Sequence, residues 1–553
     1  MADLLNTAVS GLLAFQRSLS VTGHNITNVN TEGYSRQNVE FVTRLPEING
    51  NGFVGTGVNI STIERMYDQF LGDQVTSRTS TYNQLDALDD MASQVDMLLA
   101  DEEVGMSPAI QDFFNAVQDV ANNPASVSAR QVLLSQADTL AGRFQGLDQR
   151  LAELRDSVND QLDVLVNEMT GIATSIAEVN ADIALSRAES GGQPPNDLLD
   201  QRDVLVNRLA EIVSVQTVEV EDGSLNVFIG NGQSLVLGNN VAAITTSFND
   251  FDPTQKEISF SDGAVNYSIS EQISGGKLGG LLEFRSQVLD PAQNALGRIA
   301  IGLADTFNTQ HQLGDDLNGN PGGLFFDDIV NTSPEVLANT RNNPISGTLS
   351  VTIDDTNLLK ASDYRLNYDG ANFSLTRLSD NVVVDSGFTT ADLPRTLASG
   401  GITLSLAGSV AAGDSFLIRP VRSGAGDMGV TLTDTALIAA AGSGNASGDN
   451  SNALALAALQ TQKTMGGSTE TYQTAYGKMV ASVGVKASEA KVNSSAQKAL
   501  LDRAVEKQTE LSGVNLDEEA AMLVKYQQAY QAAAQVVRIA NDVFQTLLGA
   551  TAR

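Results

Sequence analysis

The two ends of the chain each carry an apolar residue at every seventh position, and this pattern most constrains the fold. Near the N-terminus Leu5, Leu12, Leu19 and Ile26 stand seven apart, with Ala8, Phe15, Thr22 and Val29 three residues after each. Near the C-terminus Leu516, Leu523, Tyr530, Val537 and Phe544 repeat the spacing, with Tyr526, Ala533, Ala540 and Leu547 in the offset row. A strict seven-residue period keeps one seam turned toward a partner helix, which is what a coiled coil requires. Neither seam is flanked by apolar sequence that could cover it. The two are therefore expected to pair, so that the chain starts and finishes in one place.

Between the ends the period changes several times. Leu85, Leu88, Ala92, Val95 and Leu99 are spaced for a helix, as are Leu147, Leu151, Leu154, Val158, Leu162, Leu165, Met169, Ile172, Ile176, Val179 and Ile183. No proline lies between Pro124 and Pro194, so a helix of about 40 residues is expected there. Pro194-Pro195 ends it, and a second helix is expected from Asp197 to Ile212. From Val215 the apolar residues alternate, and Asp222-Gly223 and Asn231-Gly232 punctuate them as hairpin turns. Helix resumes at about Asn294 to Gln312. A longer β region follows, carrying Leu349, Val351 and Ile353, then Asp369-Gly370, then Ile402, Leu404 and Leu406. A stretch rich in Gly, Ser and Asn, Ala441 to Ser451, leads into a helical tail. Ser35 to Ile60 reads as an extended, glycine-punctuated connector after the turn built from Asn25, Asn28, Gly33 and Tyr34.

The expected fold is an α+β multidomain chain with its terminal helices in a coiled coil, a rod-like helical bundle and inserted antiparallel β domains. Residues 1–31 and 515–553 form the assembly domain. Residues 32–215, 280–315 and 450–514 form the rod, 216–279 a small β domain, and 316–449 an outer β domain.

Composition excludes several functions. Of 553 residues, 66 are acidic and 33 basic, a formal charge of −33 that repels nucleic acid and anionic membranes. No cysteine is present, so disulfides and thiolate metal sites are excluded. No apolar run approaches the roughly 18 residues that span a bilayer. The N-terminus does not read as a cleavable signal, since Asp3 and Asn6 interrupt it and its apolar residues are spaced for a helix face.

The candidate chemistry is thin. His24 and His311 read as helix-end or surface residues. Gly275-Gly276-Lys277-Leu278 lacks the hydroxyl residue and spacing of a phosphate loop. Asp316, Asn318, Asn320 and Asp327 imitate a calcium loop, but Pro321 replaces its glycine, so a solvated turn is expected. Asp197, Asp200 and Asp203 around Arg202 read as a charged solvent face. Ser488–Lys491 and Ser495–Lys498 lack the companion motifs of an acyl-transferase. No catalytic, cofactor or metal residues are assigned, and no enzyme is expected.

The motifs themselves are informative. Ser10-Gly11-Leu12, Asn25-Ile26-Thr27-Asn28-Val29-Asn30-Thr31 and Gly33-Tyr34-Ser35-Arg36-Gln37 resemble the N-terminal signature of bacterial flagellar axial proteins. The last of these motifs is similar to the hook-associated protein 1 (FlgK) type in particular. The resemblance continues through Gly55 to Val58, Ile63 to Asp68, Asp197 to Asp203, Gly275 to Arg285, Asp316 to Asn320 and Ser512 to Ala521. Glu32 departs from it, standing where proline is frequent. The resemblance implies a structural protein of the hook–filament junction, exported through the growing flagellum without a cleavable signal. Implied partners are copies of itself in a tube, the hook protein on one side and the second junction protein on the other. A cytosolic export chaperone at the C-terminal helix is implied as well. An adhesin or fibre-type binding protein is the alternative, although a fibre would keep its heptads in one block.

Overall fold

A computed structural model describes residues 2–49, 52–101, 105–261, 263, 265–344, 347–397 and 400–551. The chain is α+β, with long helices at both ends and several antiparallel sheets between. The helices are α1 (Ala2–Thr27), α2 (Gln69–Ala100), α3 (Met106–Asn122), α4 (Val127–Glu189), α5 (Asn196–Ile212), α6 (Gly276–Phe284), α7 (Asp290–His311), α8 (Ile329–Thr332), α9 (Ser451–Ala458), α10 (Tyr472–Ser512) and α11 (Leu516–Thr551). Among the described residues no helix is long and apolar enough to cross a membrane.

The long helices begin on side chains that satisfy otherwise orphaned amides. Asp68 accepts from Leu71 N–H at the start of α2, Ser126 from Ala129 N–H at α4, and Thr471 from Thr474 N–H at α10. At 63 residues α4 exceeds the expected 40. Its extra turns bury Leu133, Ala137, Leu140 and Phe144, so the apolar spacing begins earlier than the Leu147 from which the pattern was read. A single π-helical stretch, Arg285–Leu289, joins α6 to α7. The helical body packs α2 against α10, α6 and α5, and packs α4 against α3, α5 and α7.

A cluster of aromatic rings fills its middle. Phe307 lies 4.8 Å from Phe325 and 5.1 Å from Phe113, while Phe114 stacks on Tyr472 at 6.0 Å. Rings in such offset and edge-on contacts add about 0.5–1.5 kcal/mol per pair beyond the area they bury. His311 belongs to this cluster. It closes α7, as a helix-end residue should, but it is fully buried rather than on the surface. Its Nδ1 lies 2.8 Å from Gly323 O, and its Nε2 accepts from Ala439 N–H at 2.9 Å. The ring is therefore the neutral Nδ1–H tautomer.

The β parts interrupt this body twice. Val215–Glu219, Leu225–Ile229, Gln233–Leu237 and Asn240–Val241 form a four-stranded meander through the two expected hairpin turns. Ile244–Phe248, Lys256–Ser261 and Asn266–Ser268 form a three-stranded sheet beside it in sequence. Further along, a five-stranded sheet (order Glu335–Ala338, Ser415–Arg419, Tyr364–Tyr368, Phe373–Arg377, Val382–Phe388) accompanies a three-stranded one (Thr348–Ile353, Ile402–Ala407, Arg395–Leu397). The chain leaves the helices at Gly314–Asp315 and returns at Ala441–Gly442, and these two segments pair with each other. Asp316 Oδ1 accepts N–H bonds from Asn318 and Asn320 at 2.7 and 2.9 Å, so the calcium-like residues make a turn. Ser35 to Ile60 is not a plain connector. Gln37–Thr43 pairs with Val58–Arg65 as an antiparallel ribbon, extended by the hairpin of Glu47–Asn49 and Gly52–Val54.

One buried charge cluster connects the β parts to the helices. Arg419 meets Asp252 at 2.6 Å and Asp363 at 3.6 Å, while Arg422 pairs with Asp290 and reaches Asp363 at 3.7 Å. Burial raises the Asp363 carboxyl against the pull of both guanidiniums. Burial alone would lower Arg422, but Asp290 and Asp363 overturn that and hold it charged. Breaking such a cluster from one side costs about 3–5 kcal/mol, because it strands a buried charge.

Burial lowers the pKa of His311 below its usual value of about 6.5, with the Gly323 bond opposing and Arg130 assisting. The contribution of its neutral form to stability is complete above pH 6.5 and is lost as pH falls from there through the folded value. In that window stability should fall by up to about 1.4 kcal/mol per pH unit. Urea titrations at pH 7.5 and 5.5 should show this loss, and His311→Gln, less stable at pH 7.5, should lack that component. An imidazole resonance of His311 that titrates at the ordinary value would contradict the burial argument.

Candidate functional site

The two ends of the chain meet. Asn25, in the last turn of α1, donates to Glu519 Oε2 in the first turn of α11 at 3.2 Å, so the helices lie antiparallel. Facing residues in such a pair have numbers of constant sum. Ala540, buried to 5%, then stands against the first turn of α1, and α11 continues past it from about residue 543.

The residues turned inward are small or polar. On α1 they are Ala8, Gly11, Ala14, Ser18, Val21 and Asn25. On α11 the buried positions are Glu519 and Ala540, with Tyr526 and Ala533 at the same seven-residue spacing half-buried between them. The large apolar rows flank this contact. Leu12, Phe15, Leu19 and Ile26 are half-buried, and Phe15 lies 6.4 Å from Phe41 of the ribbon. Leu523, Tyr530 and Val537 are also half-buried. Leu5, Leu516, Phe544 and Leu547 are 39%, 51%, 51% and 50% exposed. The seam is present, but its centre lies on the small residues beside the leucine row, because α1 also packs on the ribbon and divides its apolar side between two neighbours.

A polar knot fastens the base of the pair. Asn25 Oδ1 accepts from Tyr34 O–H at 2.7 Å and Gln37 N–H at 3.0 Å, and its amide also donates to Gln37 O at 3.0 Å. Arg36 Nε donates to Glu519 Oε1 at 2.7 Å, and its Nη1 to Glu518 at 2.8 Å. Arg36 N–H also reaches Ser512 O at 2.8 Å, so the strand leaving α1 touches the end of α10. Asn28 holds the end of α1 by donating to His24 O at 3.0 Å. Gly33 has φ of +73°, and a Cβ there would fall 2.1 Å from Val204 Cγ2, so only glycine fits the turn. Gly57 is constrained likewise: a Cβ would meet Ser10 Oγ at 2.1 Å, where Val58 N–H donates to that hydroxyl at 3.2 Å. Glu32, the departure from the family pattern, pairs with Arg208 at 3.0 Å.

Asp200 and Asp203 of α5 are part of this knot and not a solvent face, whereas Asp197 is exposed, as expected, and meets His24 and Gln37 at the surface. Asp200 and Arg202 are buried. Asp200 accepts from Ser35 N–H at 2.9 Å, and Arg65 binds Asp200 and Asp203 at 2.9 and 2.6 Å while lying 4.0 Å over the Tyr67 ring. Burial opposes the charge of Arg65, but Asp203 and Asp200 raise it overall. Burial raises both carboxyls above the usual range despite that partner. Burial likewise raises the Tyr34 phenol, reinforced by Asp197, Asp200 and Glu519, so it stays a neutral donor to Asn25. Sequence reasoning found Asn25, Asn28, Gly33 and Tyr34 but missed Arg36, Arg65, Asp200 and Glu519 as partners. The available signal was their shared place in the quoted motifs.

Comparison with known proteins agrees with this geometry. Residues 92–326 match the profile of the flagellar hook-associated protein FlgK helical domain, and 337–420 that of the hook-associated protein 1 D2-like domain. Residues 5–34 match the flagella basal body rod protein profile, and 507–550 the C-terminal profile of the flagellar basal body rod FlgEFG proteins. Flagellar hook-associated protein 1 of Salmonella typhimurium is 35% identical over 99% of this chain and all of its own length. The chain belongs to the flagellar hook-associated protein 1 (FlgK) family. The Escherichia coli member is also 35% identical, and that of Bacillus subtilis 25% over 98% of this chain and 97% of its own. The solved flagellar hook junction protein FlgK of Burkholderia pseudomallei superposes with a TM-score of 0.73 at 29% identity, covering 80% of this chain and all of the solved one.

In a member of this family the knot fixes where the end helices stand. Glu519→Ala should strand Arg36 and Asn25 and cost about 3 kcal/mol of local stability. Amide exchange in the last turns of α1 and the first turns of α11 should rise accordingly. Glu518→Ala, on the exposed side of the same arginine, should cost less than about 1 kcal/mol. Equal exchange in the two variants would mean that the buried pair does not hold the base.

Proposed function

We propose that the chain is a structural subunit of the hook–filament junction and polymerises through its paired terminal helices, and that it is not an enzyme. The observation that carries this reading is the apolar surface left on the pair. Leu5, Leu516 and Val524 on the pair, and Phe544 and Leu547 on the part of α11 that runs past the start of α1, are 39–51% exposed. Apolar rows on a soluble helix pair mark an interaction surface. A tubular assembly needs such rows, since its subunits meet through heterologous contacts. The assembly domain of this proposal is residues 1–31 with 515–553. The rod and the two β domains, with the boundaries expected from sequence, form the body it carries.

The partners follow from the same reading: copies of the chain, the hook protein on one side and the second junction protein on the other. Before export, the row Leu516, Leu523, Tyr526, Tyr530, Val537, Phe544 and Leu547 is a helix-in-groove ligand for a cytosolic chaperone. Chaperone and final partner would then compete for one stripe. Asp517, Glu518 and Glu519 favour the positive end of the α11 dipole.

Truncation after Gly513 should leave the body folded while abolishing chaperone capture and junction assembly together. Cells carrying it should show bare hooks and lose filament subunit to the medium. Phe544→Ala and Leu547→Ala should leave the monomer melting temperature unchanged yet weaken assembly by about 1.5–3 kcal/mol each, the value of burying such a side chain. Filaments of normal number and length in the truncated strain would overturn the reading.

A further inference from the structure

The helical body carries two long exposed ridges of opposite charge, and nothing in the paired ends accounts for them. α10 bears Lys478, Lys486, Lys491, Lys498 and Lys507, half the lysines of a chain whose formal charge is −33. With Arg503 these outnumber its Glu489, Asp502, Glu506 and Glu510, although Lys478, Lys486 and Lys498 already pair with Glu470, Glu489 and Asp502. Its outermost row contains Val485 and Val492, both 64% exposed and two turns apart, among Ala481, Ser488 and Ala499. No ion pair of Lys491 or Lys507 occurs among the described residues.

α4 carries the counterpart. Ten acidic residues stand against five arginines along it. Its outer row runs through Asp160, Val164 and Glu168, one turn apart and all exposed, to Gly171, Glu178 and Leu185. Asp160, Glu168 and Glu178 make no ion pair among the described residues. Gly171 lies in this row, and like Gly142 and Gly146 of the same helix it has open space where a Cβ would stand. It sits in the middle of a helix with ordinary backbone angles, and a Cβ there would meet nothing within 4 Å. A glycine at such a place weakens the helix and brings the isolated subunit no fit in return. It does allow another backbone to come close.

α10 packs most on α2, and α4 most on α3 and α5, so the two ridges run on separate helices of the body, although both helices also meet α7 and α10 also meets α3. The α10 ridge carries a net positive charge and the α4 ridge a net negative one, and each has exposed valine along its crest. Such surfaces cannot pair with themselves without like-charge contact, but each fits the other on a second copy. We propose that the lysine ridge of α10 in one subunit docks along the acidic ridge of α4 in the next, making the lateral contact of the helical bodies. This inference rests on the reading that the chain polymerises, and names which faces touch when it does.

The absence of cysteine makes the test clean. Val164→Cys and Val492→Cys are introduced together into the full chain, expressed in cells lacking the native copy, and isolated flagella are oxidised. The expected result is a ladder of disulfide-linked copies, absent from either single variant and from the dilute monomer. Links between two Val492→Cys sites, links only to another flagellar protein, or no links in normally filamented cells would each overturn the pairing. If the double-cysteine chain builds no filaments, charge reversal decides. Lys491→Glu with Lys498→Glu should reduce filamented cells more than tenfold, and adding Asp160→Lys with Glu168→Lys should restore them. Normal filamentation by the first pair, or no restoration by the second, overturns the proposal. Gly171→Ala should raise the monomer melting temperature, which a fold-essential glycine would not allow. Linked copies from a Phe544→Cys control, with none from the ridges, would discard this pairing alone. No linked copies from any position would discard the polymerisation reading itself.

Discussion

The structure depends on a buried carboxylate. Glu519 is 2% exposed, and it holds Arg36 and Asn25 at the point where the chain's two ends meet. Joining residues 494 positions apart would cost a free chain about 5.5 kcal/mol of loop-closure entropy. Here the body has already met that cost. Arg36 N–H bonds to Ser512 O, and Met66 N–H bonds to Arg36 O, so α10, the ribbon and the strand leaving α1 are in register before the end helices pair. What remains is local closure over a few residues, and one buried ion pair with its hydrogen bonds can hold that.

The same knot explains why the ends are polar at the base and apolar at the tip. A polar group buried in a helix pair lowers stability relative to an apolar one but rejects shifted registers, since any slip leaves it unpaired. Asn25 is satisfied at both its oxygen and its amide by Tyr34, Gln37 and Glu519, and a one-turn slip would forfeit these bonds. Register and direction are thus fixed beside the body. Farther out the contact is made by Ala14, Gly11, Ala8 and Ala540, which let the helices approach but bury little area. The pair is specified by its base and held only lightly along its length.

Much of this was legible in the residues, and the parts that were not share a cause. The periods of seven, of three and four, and of two placed the end helices, α4, α5 and the hairpins at Asp222-Gly223 and Asn231-Gly232, because each period reports a backbone geometry. Spacing does not say which of two adjacent rows faces the partner. Leu516 belongs to a row with the right period, yet at that end the contact runs through Glu519 beside it. Nor does spacing report what a charged residue meets. Asp200 and Arg202 look like a solvated helix side until the fold brings Arg65 and Ser35 against that helix. His311 looks like a helix end until Gly323 and Ala439 close over it. Ser35 to Ile60 reads as a connector because the partner of its first strand, Val58–Arg65, lies mostly beyond its end, with a glycine-rich hairpin between.

Specified at the base and lightly held at the tip is a useful division for a subunit that must join others. Had Leu5 been buried in the intramolecular seam and α1 reached far enough to cover Phe544 and Leu547, the pair would offer a neighbour little apolar surface. With Ala8, Gly11, Ala14 and Ser18 turned inward on α1, the two helices come close enough to act as one unit, while Leu5 stays partly exposed and Phe544 and Leu547 stand beyond the start of α1. The area forgone within the subunit is then available between subunits, where each buried Leu or Phe contributes about 1.5–3 kcal/mol. A −33 surface keeps the isolated chain from aggregating through those flanks, since like charge opposes random encounter more than it opposes one fitted contact. On the proposed assembly reading, the charge of the body and the exposed apolar residues at the ends serve one requirement: a chain that resists random association and keeps its docking surface ready.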